Sequence, residues 1–147
     1  MKKILSLIIV IALLAASLTL TVSCSQNDTS GKATIVIGTE EEKVYTVPLS
    51  ELSEGKGLMP AFEYLKANEG LEYDISGTMI NSIGGLENDC VLGSYIYIYT
   101  SVEADFDVSE YRMEMDYNGK TLVSSGVGLD EMRLLDGAII YVGTVFW

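Results

Sequence analysis

Apolar and polar positions along most of this chain alternate in short runs. Segment 94–101 (SYIYIYTS) has strict period two, with Tyr95, Tyr97 and Tyr99 on one face and isoleucines 96 and 98 on the other. That is a strand pattern, and two apolar faces predict a central strand or one covered on both sides. Segment 111–117 alternates more sharply, setting Tyr111, Met113, Met115 and Tyr117 against Arg112, Glu114 and Asp116. Asn118-Gly119 then supplies the positive φ values of a type I′ turn, so 111–117 and 120–124 predict a hairpin. Upstream, 33–38 (ATIVIG) and 43–48 (KVYTVP) are β-branched runs flanking an acidic turn, and predict a first hairpin. Short strands are expected over 71–75 and 78–83, with Gly84-Gly85 as a turn. A closing strand, 138–147, follows the Asp136-Gly137 turn.

One segment has helical spacing instead. Met59, Phe62 and Leu65 recur on one face, Pro60 suits a first turn and Gly70 can end the helix, which predicts a helix over about 59–68. No repeat or low-complexity tract intervenes. The elements add up to one α+β domain, mainly antiparallel, with a single helix available to cover one sheet face.

The N-terminal stretch follows another logic. Lys2 and Lys3 precede an uncharged apolar run, 4–22, that ends at Ser23-Cys24. A short basic region followed by an apolar one is the pattern of an export signal. Thr21-Val22-Ser23-Cys24 resembles a bacterial lipobox, in which a small residue precedes a cysteine that is lipidated and becomes the new N-terminus. On this reading residues 1–23 are a lipoprotein signal peptide, Cys24 is the lipidation site, 24–32 form a small, polar, flexible tether and 33–147 form the domain. A plain secretory signal and an uncleaved membrane helix stay open, since nineteen uncharged residues span roughly 28 Å of helix. Lipid anchor and uncleaved helix alike place the domain at the outer face of the cytoplasmic membrane or cell envelope.

Composition narrows the chemistry. The chain has 147 residues, 9 Lys+Arg against 21 Asp+Glu, and no histidine. Loss of 1–23 removes two lysines and no acid, leaving 7 positive against 21 negative groups, a net of −14. Such a charge offers little to nucleic-acid phosphates. The absent histidine excludes a Ser-His-Asp triad, a Cys-His pair, an HExxH zinc helix and any imidazole ligand. Neither GxGxxG nor a P-loop occurs. With 21 acids, a carboxylate pair at some useful separation has no diagnostic value. No enzyme is expected. The loop 102–110 concentrates Glu103, Asp105, Asp107 and Glu110, a density of oxygen ligands that suits Ca²⁺. It lacks the glycine and ligand series of an EF-hand, so a solvated connection without a metal site is expected. Cys24 and Cys90 are the only cysteines. A lipidated Cys24 leaves Cys90 without an intramolecular partner, and Cys90 is expected to be buried and inert.

Tyr95, Tyr97 and Tyr99 are the candidate ligand-binding residues. In contact with solvent they form a stacking platform with hydroxyl donors, suited to a sugar, a corrin ring or a protein surface. Beneath the helix they are core.

The order of helix, Gly-Gly turn, aromatic strand, acidic loop, NG hairpin and terminal DG strand resembles the bacterial transcobalamin-like C-terminal domain family of exported proteins. The resemblance is carried by 61–70 (AFEYLKANEG), 80–86 (INSIGGL), 97–101 (YIYTS), 117–122 (YNGKTL), 126–129 (GVGL) and 135–141 (LDGAIIY), and spans about 33–147. It implies a β-grasp-like fold and an exported, non-catalytic binding module. In animal cobalamin carriers the related domain closes over a corrinoid held by a larger helical domain. The implied ligand is therefore a corrinoid or related small nutrient, with no resident cofactor. The alternative is a protein–protein interaction or structural module of the envelope, docking a partner through the tyrosine face, a sheet edge or the acidic loop.

Overall fold

The structure is a computed structural model that describes residues 30–55 and 57–147. The expected signal peptide, Cys24 and the tether up to residue 29 lie outside the described residues. Among the described residues no helix is long and apolar enough to cross a membrane.

The β-branched run near the start of the described chain folds as expected. Strands β1 (Lys32–Ile37) and β2 (Lys43–Pro48) form an antiparallel hairpin with Ile35 opposite Tyr45. Lys32, expected to end the tether, already pairs with Pro48. Helix α1 (Met59–Glu69) follows, with proline in its first turn and Gly70 closing it in the left-handed conformation at φ 70°. Leu71, expected in a strand, instead donates its N–H to the Leu65 carbonyl and completes that cap. Strands β3 (Tyr73–Ser76), β4 (Met79–Ile83) and β5 (Leu86–Glu87) then make a small antiparallel sheet.

The remaining strands join β1 and β2. They are β6 (Ser94–Thr100), β7 (Glu114–Tyr117), β8 (Lys120–Ser124) and β9 (Ile139–Phe146). Asn118 and Gly119, at φ 51° and 77°, make the expected turn between β7 and β8. Residues 111–113, expected within that hairpin, lie outside the ladder. A turn bond from Arg112 N–H to the Ser109 carbonyl precedes the strand, and the Met113 N–H bonds the Ser124 hydroxyl.

Together they form a six-stranded sheet in the order β2-β1-β9-β6-β8-β7. Every pairing is antiparallel except β1 with β9, where Thr34 lies beside Ile139 and Ile37 beside Val142. Among the described residues the observed class is α+β, with a mixed, mostly antiparallel six-stranded sheet, a small antiparallel sheet and one α-helix.

A main core lies on one face of this sheet. Ile35, Ile37, Ile140 and Val142 pack with Phe62 and Leu65 of α1 and with Ile80 and Ile83 of β4, and Ile96 and Ile98 join this cluster from β6. Helix and small sheet thus share the covering of the isoleucine face. Residues one step out of phase, including Tyr95, Tyr97, Tyr99 and Tyr141, occupy the other face.

Candidate functional site

Strand β6 sits between β9 and β8, so its tyrosines stand in the middle of the sheet. Tyr95 faces Val145, Tyr97 faces Gly143, and Tyr99 faces Tyr141 on one side and Ser124 on the other. Their exposure is graded along the strand. Tyr99 is 8% exposed, Tyr97 is half-buried and Tyr95 is 38% exposed. Since α1 covers the opposite face, the tyrosines are not beneath the helix. They cover one another instead.

The rings form a continuous row. Tyr117 and Tyr141 lie 5.6 Å apart between centroids, Tyr141 and Tyr99 6.5 Å, Tyr99 and Tyr97 6.3 Å, and Tyr97 and Trp147 6.4 Å. All are tilted or edge-on, the geometry favoured by the ring quadrupole. Two glycines make room for the Tyr141 ring. A Cβ on Gly143 would come within 2.8 Å of the Tyr141 ring, and one on Gly38 within 2.2 Å of its hydroxyl. Beneath the row, Leu122 and Val36 are fully buried outside the main core.

The hydroxyls divide into two kinds. Tyr141 donates to Glu42 Oε1 at 3.4 Å, and Tyr99 points to the Met113 sulfur at 3.9 Å. Burial, and then the neighbouring carboxylate of Glu42, push the Tyr141 phenol above its ordinary value of 10.0. Burial, and then Tyr97, push Tyr99 the same way. Both stay neutral at physiological pH, acting as apolar rings and proton donors rather than bases. The Tyr95 and Tyr97 hydroxyls have no hydrogen-bond partner among the described residues and remain available to a ligand.

A groove of about 300 Å³, small for a ligand pocket, lies between the small sheet and β6, and Tyr95 lines it together with Thr78, Met79, Ile80, Ile96, Ile98 and Leu129. Asn88 also reaches this groove, but its amide is occupied. Its Nδ2 donates to the Ile80 carbonyl and its Oδ1 accepts from the Ile96 N–H, both at 2.7 Å, clipping the small sheet to β6.

The acidic loop departs from a solvated connection at one residue. Asp105 is buried, its Oδ2 accepting the Arg133 N–H at 2.6 Å and its Oδ1 lying 3.4 Å from the Arg133 guanidinium. Through Arg133 it ties the loop to the 129–134 segment, and its carbonyl accepts the Gly126 N–H. Asp107 turns on itself. The Ser109 backbone N–H, and then the Ser109 hydroxyl, hold its carboxyl below the usual range. Glu103 and Glu110 are exposed. Among the described residues no three acidic or thiol groups converge on one point.

Cys90 was expected to be buried, and it is exposed. The Asp89 carboxylate holds the Val91 and Leu92 N–H groups at 2.9 and 3.0 Å, and this turn sets residues 90–92 outward. Sequence reading also missed Tyr141, Tyr117 and Trp147 as members of the aromatic row. Their period within 138–147 and 111–117 was visible, but their neighbours depend on the strand order.

No protein-family model and no curated protein matches the chain. Among solved structures it is similar to one from Ruminococcus gnavus, described as a candidate metal binding protein. The two are 12% identical, with a TM-score of 0.49, over 80% of this chain and 98% of that one.

Proposed function

We propose that this chain is a membrane-anchored surface lipoprotein whose domain is a non-catalytic, β-grasp-like binding module, with the tyrosine face as its binding surface. The β-grasp reading is supported by the hairpin–helix order and by the parallel pairing of β1 with β9 inside the sheet. The observation that carries the functional reading is the placement of α1 on the isoleucine face, which leaves a row of aromatic rings on the opposite face, buried at Tyr99 and open to solvent towards Tyr97 and Trp147. Such a surface offers stacking area and the free Tyr95 and Tyr97 hydroxyls. Neutral phenols supply no general base, in keeping with a binding role. The ligand class is a corrinoid or a related small nutrient, held by shape, stacking and backbone contacts, since no histidine exists to ligate cobalt.

A thermal-shift series on the full chain with cobalamin, cobinamide, haem and oligosaccharides tests the proposal. A ligand at 100 times its Kd adds about 2.7 kcal/mol, which raises the melting temperature by roughly 10 °C at this chain length. Tyr97→Ala is expected to keep a cooperative unfolding transition and to lose that shift. A flat response across the series, or an equal shift in Tyr97→Ala, overturns it.

A further inference from the structure

One end of the six-stranded sheet carries an apolar tip that neither the main core nor the middle of the tyrosine row uses. Val91 and Leu92, in the loop before β6, are 95% and 69% exposed, and Phe146 and Trp147 beside them are 73% and 67% exposed. The loop is firmly built. Asp89 Oδ1 accepts from both Val91 and Leu92. Asp89 and Ser94 exchange N–H···O bonds at 2.8 and 2.9 Å, and the Trp147 N–H donates to the Gly93 carbonyl at 3.0 Å. Gly93 has φ +68°, and a Cβ there would meet the Trp147 carbonyl oxygen at 2.9 Å, so the position requires glycine. The turn fixes two aliphatic side chains in water beside two aromatic ones, although burying each would release about 1.5–3 kcal/mol. Among them Trp147 is of the residue type that dominates interaction hot spots, and the fixed turn lowers the cost of ordering the others on binding.

We propose that this tip docks a partner protein presenting an apolar pocket with a basic rim. Charge is the first argument. Glu87 and Asp89 precede the tip loop, and no lysine or arginine occurs between Lys66 and Arg112 or between Arg133 and Trp147. An anionic bilayer gains nothing from such a tip, and a second copy of a chain with net charge −12 is repelled. Direction is the second. Because β1 and β9 run parallel, the chain enters the sheet at Lys32 at the end opposite the tip, about 30 Å of strand rise away. The tip then faces away from a membrane to which the residues from Cys24 up to the start of β1 would tether the domain. This second argument rests on the proposed tether; the charge argument does not.

Cys90 is exposed next to the tip and gives the handle for a test. The full chain, with Cys24 blocked by its lipid, is labelled at Cys90 with benzophenone maleimide and photolysed on envelopes of the organism that carries it. The captured protein is then purified and its affinity for the unlabelled chain measured. The Val91→Ser/Leu92→Ser double variant and Trp147→Ala are each expected to weaken binding tenfold or more. Raising the salt concentration is expected to weaken it further. The double serine variant should keep the ligand-induced thermal shift, so failure at the tip and failure of the tyrosine-face reading are distinguishable. No captured protein, capture of lipid or of a second copy alone, unchanged affinity in the variants, or cosedimentation with phosphatidylcholine or phosphatidylglycerol vesicles overturns the proposal.

Discussion

Phe62→Ala and Tyr97→Ala, compared side by side, separate a covered core from an open aromatic face. Phe62 is fully buried between α1 and the isoleucine face, with the Tyr73 ring 5.9 Å from its own. Truncating a buried phenylalanine costs about 3–5 kcal/mol in lost transfer energy and cavity formation. Spread over a domain near 120 residues, at about 4 °C per kcal/mol, that lowers the melting temperature by roughly 12–20 °C. Tyr97 has the larger side chain, yet it is half-buried and touches rings on only one side of the sheet. Part of its area is already in water, and the space left by truncation opens to solvent instead of forming a sealed cavity. Its loss is expected to cost about 1–2 kcal/mol, or roughly 4–8 °C. Urea unfolding monitored by circular dichroism gives both values from the midpoints, and the m-value checks that the unfolded state is unchanged. Equal costs for the two variants would refute the reasoning, because the tyrosine face would then be a second sealed core.

Further outcomes follow from individual contacts. Asp105→Ala removes the acceptor of the Arg133 N–H and half of the ion pair, and is expected to cost about 2–3 kcal/mol in chemical denaturation, whereas Asp105→Asn, which keeps an acceptor, should cost less. Gly143→Val puts side-chain atoms where the Tyr141 ring lies, and is expected to lower the melting temperature, by less when added to Tyr141→Ala than when added to the wild type. Tyr99 and Tyr141 have raised values in the folded state, so their contribution to stability is complete below pH 10 and is lost as pH rises through the folded values. The midpoint of denaturation should therefore fall above about pH 10, and fall less in the Tyr99→Phe/Tyr141→Phe variant. Cys90 should react with a maleimide at the same rate in native protein and in a short unfolded peptide, and protection by more than tenfold would contradict its exposure.

The parts legible in the sequence are those whose cause is local. Alternation in 94–101, the Asn118-Gly119 turn and the Pro60 and Gly70 helix ends each depend on a few neighbouring residues, and each appears within about two residues of its expected place. The tyrosine set on one face of β6 was equally legible, because period two is a property of the strand alone. Which face the helix covers was not, since isoleucine and tyrosine are both apolar and the choice depends on β1, β9 and β4 arriving on the same side. Asp105 shows the same limit. Its burial is made possible by Arg133, 28 residues away, which nothing in the loop announces. Cys90 misled for a related reason. Without a partner cysteine and beside an acid, it read as an inert interior thiol, while the Asp89 turn directs the segment outward. The two-residue strand β5 is too short to have a period at all.

The most direct test of the tyrosine face as a binding surface is isothermal titration of cobinamide into the full chain and into Tyr97→Ala at neutral pH. Saturable binding by the wild type, weakened at least tenfold in the variant while its unfolding stays cooperative, is the expected result. Equal affinities in the two proteins, or no saturable heat in the wild type, would contradict it.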